Sequence, residues 1–365
     1  MKVLLIKTSS LGDVLHVLPA ITDAAKAIPG IRFDWVVEEA FAEVPTWHPS
    51  VDRVIPVAIR HWRRSPLKTL FSGEWSAFKR ALKAEEYDLV LDAQGLIKSG
   101  LITRMARGPT FGLDGQSARE PLTSRFYDHS LVVEKGEHAI VRLRKLFALA
   151  LGYPLPDEKS DSGILPPSNS LRDALGRPPY PLKREGGATS PPNLRGGEGV
   201  KSILFIHGTT WTTKHWPNRY WIELAEIVNR AGYRVVLPWD NEVERVRAEQ
   251  IADGRDAVIL PKGSLSALIE PFQQASGMVC VDSGLAHLGA AFKVSSVTLY
   301  GATNPGLTGT WGENQQHLTS SLECSPCLKR RCEYRGASEV DPACYQSLTP
   351  EVVWQQLAIS IKSHT

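Results

Sequence analysis

Apolar and polar positions alternate along this chain in two separate series. Residues 2–7 form a short apolar run closed by a lysine and are read as a buried strand. A polar loop follows over residues 8–12. Val14, Leu18, Ile21, Ala25 and Ile28 then recur at helical spacing until Pro29-Gly30 stops the helix. Ile31, Phe33, Trp35 and Val37 alternate as a strand, and 89–91 forms another that ends at Asp92. Helices are predicted near 75–84 and 97–106. The second series opens with a strand at 202–206 and continues with strands at 233–237, 257–260, 278–281 and 296–300. Helices are predicted between them at 218–230, 242–251, 265–275 and 285–291, with a final helix at 350–361. Strands alternating with helices imply doubly wound, mostly parallel sheets.

Between the series, residues 184–199 (REGGATSPPNLRGGEG) have almost no apolar content and read as a flexible insertion. The expected organisation is a Rossmann-like domain over 1–165, a partly disordered linker over 166–200 and a second Rossmann-like domain over 201–348. The helix within 349–365 is expected to pack back on the first domain. A hinge near 165–200 would let a cleft between the domains close. Ligands of open α/β sheets bind at the carboxyl ends of the strands, so the chemistry is sought in the loops that follow strands.

Composition narrows the class. A chain of 365 residues, 42% of them apolar, suits two domains with two cores. A net charge of +3 is too small to point to nucleic acid. No apolar run approaches the roughly 18 residues of a membrane span, and the start lacks a signal-peptide pattern. The expectation is a cytoplasmic protein with reduced cysteines.

Three loops carry candidate chemistry. In Lys7-Thr8-Ser9-Ser10-Leu11-Gly12-Asp13, small residues let a ligand approach a helix start, where free N–H groups favour anions. Asp13 there is either a helix cap or a general base for a hydroxyl that attacks an activated sugar, and the two roles are compatible. The Thr-rich loop from His207 to Pro217 holds Thr209, Thr210 and Lys214, which suit a diphosphate; the alternative is a solvated turn. In Val281-Asp282-Ser283-Gly284-Leu285-Ala286-His287 a strand again runs into a helix. Ser283 and Gly284 would offer donors to an anion, or Asp282 or Ser283 merely caps the helix. A fourth loop, 301–306, is turn-rich and would wall the same site.

Together these loops resemble the lipopolysaccharide heptosyltransferase family, and its type I branch above all. The stretches KVLLIKTSSLGDVLHVLPA, FDWVVEE, VIPVAIRHWRR, LDAQGLIKSG and AREPL carry the likeness in the first half. HGTTWTTKHWP, LPWDNEVER and VDSGLAHLGAA carry it in the second. The resemblance implies a GT-B fold and an inverting, metal-independent transfer with no cofactor. It implies ADP-L-glycero-β-D-manno-heptose as donor, and as acceptor a Kdo hydroxyl of Kdo2-lipid A. It implies Asp13 as the base, and donor contacts from Thr209, Thr210, Lys214, Glu242, Asp282, Ser283, Gly284 and His287. Acceptor contacts fall to Ser10, Gly12, Arg60, Arg63, Arg64 and Arg119. The basic cluster around Trp62, with Lys68 following, also suits the anionic cytoplasmic face of the inner membrane; otherwise it is a solvated face.

Cys324, Cys327, Cys332 and Cys344 follow C-x2-C-x4-C-x11-C, a departure from the type I pattern. Zinc ligands, packing thiols and reversible disulfides all remain open for them. The alternatives to the main reading are a type II or related enzyme with a later core acceptor, a GT-B sugar-nucleotide epimerase, and a non-enzymatic metal or redox module built on the cysteine tail.

Overall fold

A computed structural model describes residues 1–64, 73–157, 161–165 and 201–362. The insertion at 184–199, the hinge near 165–200 and Lys68 lie outside the described residues. The chain divides into two compact units, Met1–Leu165 and Pro166–Thr365.

The first unit contains β1 (Lys2–Ile6), α1 (Leu11–Ala27), β2 (Arg32–Glu38), β3 (Val51–Val57), α2 (Ile59–Arg64), α3 (Glu74–Leu82), β4 (Leu89–Asp92), α4 (Ile97–Met105), β5 (Thr110–Leu113), β6 (His129–Leu131) and α5 (Ala139–Leu151). Its sheet runs in the order β3-β2-β1-β4-β5-β6 with every pairing parallel. Val3, Leu4, Leu5 and Ile6 are all fully buried, because helices cover both faces of a parallel sheet. This is why β1 reads as a continuous apolar run instead of an alternating one. On one face Leu4, Ile6, Val36, Ile55 and Val90 form a core with Phe78 and Leu82 of α3. On α1 and α5, Asp23 and Arg144 form a buried ion pair, Nε to Oδ2 2.6 Å.

The second unit repeats the plan with β7 (Ser202–Ile206), α6 (Asn218–Arg230), β8 (Arg234–Leu237), α7 (Glu242–Ala252), β9 (Ala257–Ile259), α8 (Ile269–Gln274), β10 (Gly277–Val281), α9 (Gly284–Ala291), β11 (Ser296–Tyr300), α10 (Pro305–Thr308), β12 (Gln315–Thr319) and α11 (Pro350–Lys362). The strand order is β12-β11-β10-β7-β8-β9, again all parallel. Each sheet has the order of a dinucleotide-binding fold, in which the first and fourth strands of the unit lie side by side and the connections diverge.

Two sequence expectations change. The helix predicted over 265–275 is a 3-10 turn, Leu265–Leu268, followed by the short α8. Pro271 has no N–H to donate four residues back, and its ring crowds the carbonyl there, so one continuous helix is not available. The final helix, expected to pack back on the first domain, buries Val353 and Leu357 with Trp221, Leu224 and Val279 in the core of the second unit.

Candidate active site

In the first unit the junction of β1 and β4 gathers a polar cluster. The Asp13 carboxylate accepts from the Ser10 backbone N–H (2.7 Å) and from Ser10 Oγ (3.1 Å), forming the capping box of α1. It keeps 38% of its side chain exposed, open to a ligand. Lys7 lies behind it: Nζ donates to the Ala93 carbonyl (3.0 Å) and stands 3.9 Å from Asp13 Oδ1. Burial pushes the Lys7 ammonium below its usual range, against the pull of Asp13 and Asp92. Gln94 Oε1 accepts from the Thr8 and Ser9 N–H groups (3.0 and 3.2 Å), which fixes the loop before Ser10. Asp92, fully buried at the end of β4, accepts from the Gln94 N–H (2.7 Å) and from Tyr127 Oη (2.8 Å). Burial raises its carboxyl above the usual range.

The acceptor-side candidates are placed differently from one another. Gly12 is buried in the first turn of α1. Arg119 is exposed, and its backbone flanks Gly95 beside the polar cluster. Arg60 and Arg64 are exposed on α2, at the end of β3; the Arg60 N–H donates to Glu38 Oε1 (3.1 Å). The Arg63 side chain lies outside the described residues. Trp62, expected to meet a membrane, packs against Trp75 and Phe78 (5.4 and 5.6 Å between centroids) and donates to Glu74 Oε2 (2.9 Å). Its indole is committed to the protein.

In the second unit the junction of β7 and β10 brings two predicted loops together. Lys214 Nζ is 2.7 Å from Asp282 Oδ2, and Thr303 Oγ1 donates to the same oxygen (2.6 Å). Thr209 Oγ1 donates to the Asp282 carbonyl (3.1 Å). Thr210 is exposed on the same loop. Ser283 is the N-cap residue of α9, with Gly284 and His287 in the first turn. The Ser283 hydroxyl is buried with no partner among the described residues, at a helix start rich in free N–H donors. The arrangement therefore offers one cation, several hydroxyls and a helix N-terminus, a set suited to phosphate oxygens.

The family 9 glycosyltransferase (heptosyltransferase) profile matches residues 75–337. The chain belongs to glycosyltransferase family 9. As a member of that family it is a glycosyltransferase. It is 49% identical to the lipopolysaccharide heptosyltransferase 1 of Pseudomonas aeruginosa, over 98% of this chain and 97% of that one. It is 46% identical to the enzyme of the same name from Escherichia coli, over 86% and 92%. Among solved structures it is similar to the E. coli heptosyltransferase WaaC with ADP (TM-score 0.81, 40% identity, 99% of this chain and 100% of that one). The WaaC structure with ADP-2-deoxy-2-fluoro heptose has TM-score 0.78, 39% identity and coverage of 98% and 99%. These neighbours give the two sheets their fold class, GT-B.

Within this family 9 chain, the two glutamates of LPWDNEVER stand differently. Glu242 is largely exposed and paired with Arg245 on its own helix (2.6 Å). Glu244 instead turns back over the loop after β7. Its Oε2 accepts from the Asp240 N–H (2.9 Å), and a Cβ at Gly208 would lie 2.5 Å from its carboxyl carbon. The spacing of LPWDNEVER offers both glutamates. Asn241 decides between them, because its side chain caps α7 (accepting from the Glu244 N–H, 3.1 Å) and so sets the helix phase.

Other residues at this site were not singled out in the sequence. Arg247 donates to the His207 carbonyl and contacts His215 Nδ1 (3.0 and 3.1 Å). Burial, with the neighbouring Arg247, pushes His207 down to about 3 and His215 down to about 4. Both imidazoles are neutral at pH 7. A general rule would have found Asp92, Gln94 and Thr303: each stands at or just past the carboxyl end of a strand.

Proposed function

We propose that this chain is an inverting transferase that moves L-glycero-D-manno-heptose from ADP-heptose to a Kdo hydroxyl of Kdo2-lipid A, in lipopolysaccharide inner-core assembly. The observation that carries the reading is the likeness over 98% of the chain to a neighbour that binds an ADP-heptose analogue. The phosphate-suited set around Lys214 and Ser283 is consistent with it.

In this mechanism Asp13 accepts the proton of the Kdo hydroxyl. The hydroxyl oxygen attacks the anomeric carbon from the face opposite ADP, the bond from that carbon to the diphosphate oxygen breaks, and the configuration inverts. Lys7 Nζ stands 3.9 Å from the base, at the N-terminus of α1. Lys214, Thr209, Thr210 and the N–H groups of Ser283 and Gly284 receive the growing negative charge on the diphosphate. Glu244 is placed for the ribose hydroxyls, and Asp282 and His287 for the sugar–phosphate junction. No metal is needed at the reacting centre.

Arg60, Arg64 and Arg119, with Ser10 and Gly12, form the anionic acceptor's side of the site. No helix among the described residues is long and apolar enough to cross a membrane. In this reading the lipid acceptor, not a spanning helix, brings the enzyme to the cytoplasmic face of the inner membrane as a peripheral protein.

The test is heptose transfer by the purified protein from ADP-heptose to Kdo2-lipid A, compared with an acceptor that already carries one heptose. Transfer to the first supports the reading. Transfer to the second alone replaces it with a later core step.

A further inference from the structure

The cysteine segment is not used by the transfer chemistry, yet it converges. Cys324, Cys327, Cys332 and Cys344 line one small cavity together with Thr213, Gly301 and Ala302. All four are free thiols. The cavity measures about 20 Å³, enough for a single ion or water. Cys344 is the buried floor: a Cβ at Gly301 would come within 2.5 Å of its sulfur, so the glycine leaves room for the thiol. Cys324 and Cys332 are exposed, which leaves a route in from solvent. Over 323–344 the cations Lys329, Arg330, Arg331 and Arg335 are matched by Glu323, Glu333, Glu339 and Asp341, and Lys329, Arg330 and Arg331 fall between Cys327 and Cys332.

The same segment grips the loop after β7. Thr212 Oγ1 donates to the Arg330 carbonyl (2.6 Å) and Thr213 Oγ1 to the Lys329 carbonyl (2.6 Å). The Arg330 guanidinium lies 5.3 Å from the centre of the Trp211 ring. Tyr345, next to Cys344, donates to the Lys214 carbonyl (2.9 Å). Whatever orders the cysteines therefore orders the loop that carries Lys214.

We propose that Cys324, Cys327, Cys332 and Cys344 form a tetrathiolate site for a soft divalent cation of the zinc class, and that the bound ion fastens the Thr209–Lys214 loop. Among the described residues no group of three or more His, Cys, Asp or Glu side chains stands ready to hold a metal ion, so binding requires the four thiols around the cavity to close on it. As each metal–sulfur bond forms, the thiol proton passes to solvent; no electron moves. The site does not depend on the identity of the sugar or its acceptor.

Cobalt(II) is the probe. The full chain, purified under reductant and freed of metal, is titrated with Co2+ under nitrogen. The expected result is a stoichiometric end point, with the intense visible bands and sulfur-to-cobalt charge transfer of a tetrahedral thiolate site, displaced by Zn2+. Cys324→Ser alters an exposed position and should fold; it should lose most of the charge-transfer band. Zn2+ should also slow hydrogen exchange several-fold at the Thr212 and Thr213 amides in the wild type, and leave them unchanged in Cys324→Ser. Absence of the bands, bands untouched by Cys324→Ser, or intact-mass evidence for disulfides among these cysteines in the native protein would each overturn the proposal.

Discussion

Lys214 Nζ lies 2.7 Å from Asp282 Oδ2, so the lysine that would meet a diphosphate is held by a carboxylate. The carboxylate is only 7% exposed, and Thr303 supplies a second hydrogen bond to the same oxygen. Lys214→Ala removes the phosphate contact and strands a buried negative charge. It should lower stability by roughly 3–5 kcal/mol, the scale for breaking a buried pair from one side, and raise the KM for the ADP-sugar. Asp282→Asn should spare much of the stability loss because no charge is left alone. Urea denaturation alongside donor kinetics checks both variants.

Asp13 combines helix capping with the role of base, and the two separate by substitution. Asp13→Asn keeps an amide oxygen for the Ser10 N–H but cannot take a proton. Turnover should fall by about 10²–10⁴-fold, while stability changes by less than about 1 kcal/mol. Donor affinity, read by calorimetry, should stay near wild type. A variant that loses donor binding as well would move Asp13 out of the base role.

Glu242 and Glu244 make a paired comparison. Glu242→Ala removes a surface ion pair with Arg245 and should leave kinetics and the denaturation midpoint unchanged. Glu244→Ala opens the space over Gly208 and should raise the donor KM several-fold with little change in kcat. The reverse pattern would return the ribose contact to Glu242.

Acid should weaken the fold before the carboxylates protonate. His48 and His207 are buried and neutral, pushed down to about 4 and about 3 from an ordinary value of 6.5. Because the unfolded chain takes up protons that the native imidazoles refuse, their contribution is complete above pH 6.5. It is lost as pH falls toward their native values. Each should cost about 2 kcal/mol between pH 8 and pH 5, at 1.36 kcal/mol per pH unit below 6.5. Denaturant titrations at the two pH values check this, and His48→Gln should flatten the dependence.

Asp23 and Arg144 join α1 to α5 inside the first unit, at 2% and 7% side-chain exposure. Arg144→Ala leaves Asp23 unpaired and should cost roughly 3–5 kcal/mol. The double variant Asp23→Leu/Arg144→Met, apolar and of similar volume, should recover much of that. Thermal unfolding of the three proteins would show it.

Periodicity revealed those elements whose burial is simple. The strands Ser202–Ile206 and Ser296–Tyr300 and the helix Asn218–Arg230 have the bounds read from sequence. β1 was legible because an all-apolar run means burial on both faces. β6 (His-Ser-Leu) and β12 (Gln-Gln-His-Leu-Thr) carry almost no apolar signal, because they are sheet edges held by backbone pairing. β5 is short and interrupted by Gly112, whose missing Cβ makes room for the Tyr127 ring. At the site, motif loops marked Lys214 and Asp282, but their pairing is a contact across the sheet that spacing does not encode. The choice between Glu242 and Glu244 depended on helix phase set by one cap. Spacing grouped the four cysteines, but their meeting at one cavity depended on the turn Ala343–Tyr345 bringing Cys344 to the other three.

The repeated strand order also governs how this protein must be made. In each half the first strand synthesised, β1 or β7, becomes a central strand of its sheet. While the chain leaves the ribosome, β1 can pair with β2 early. Its other edge stays bare until β4, residues 89–92, has been translated. β7 waits likewise for β10, residues 277–281. Twice per molecule, then, an apolar strand waits with an open edge, the condition that invites pairing with other chains. The growing polypeptide should draw on chaperones in two bursts, and slowing translation between β2 and β4 should lower the yield of folded enzyme.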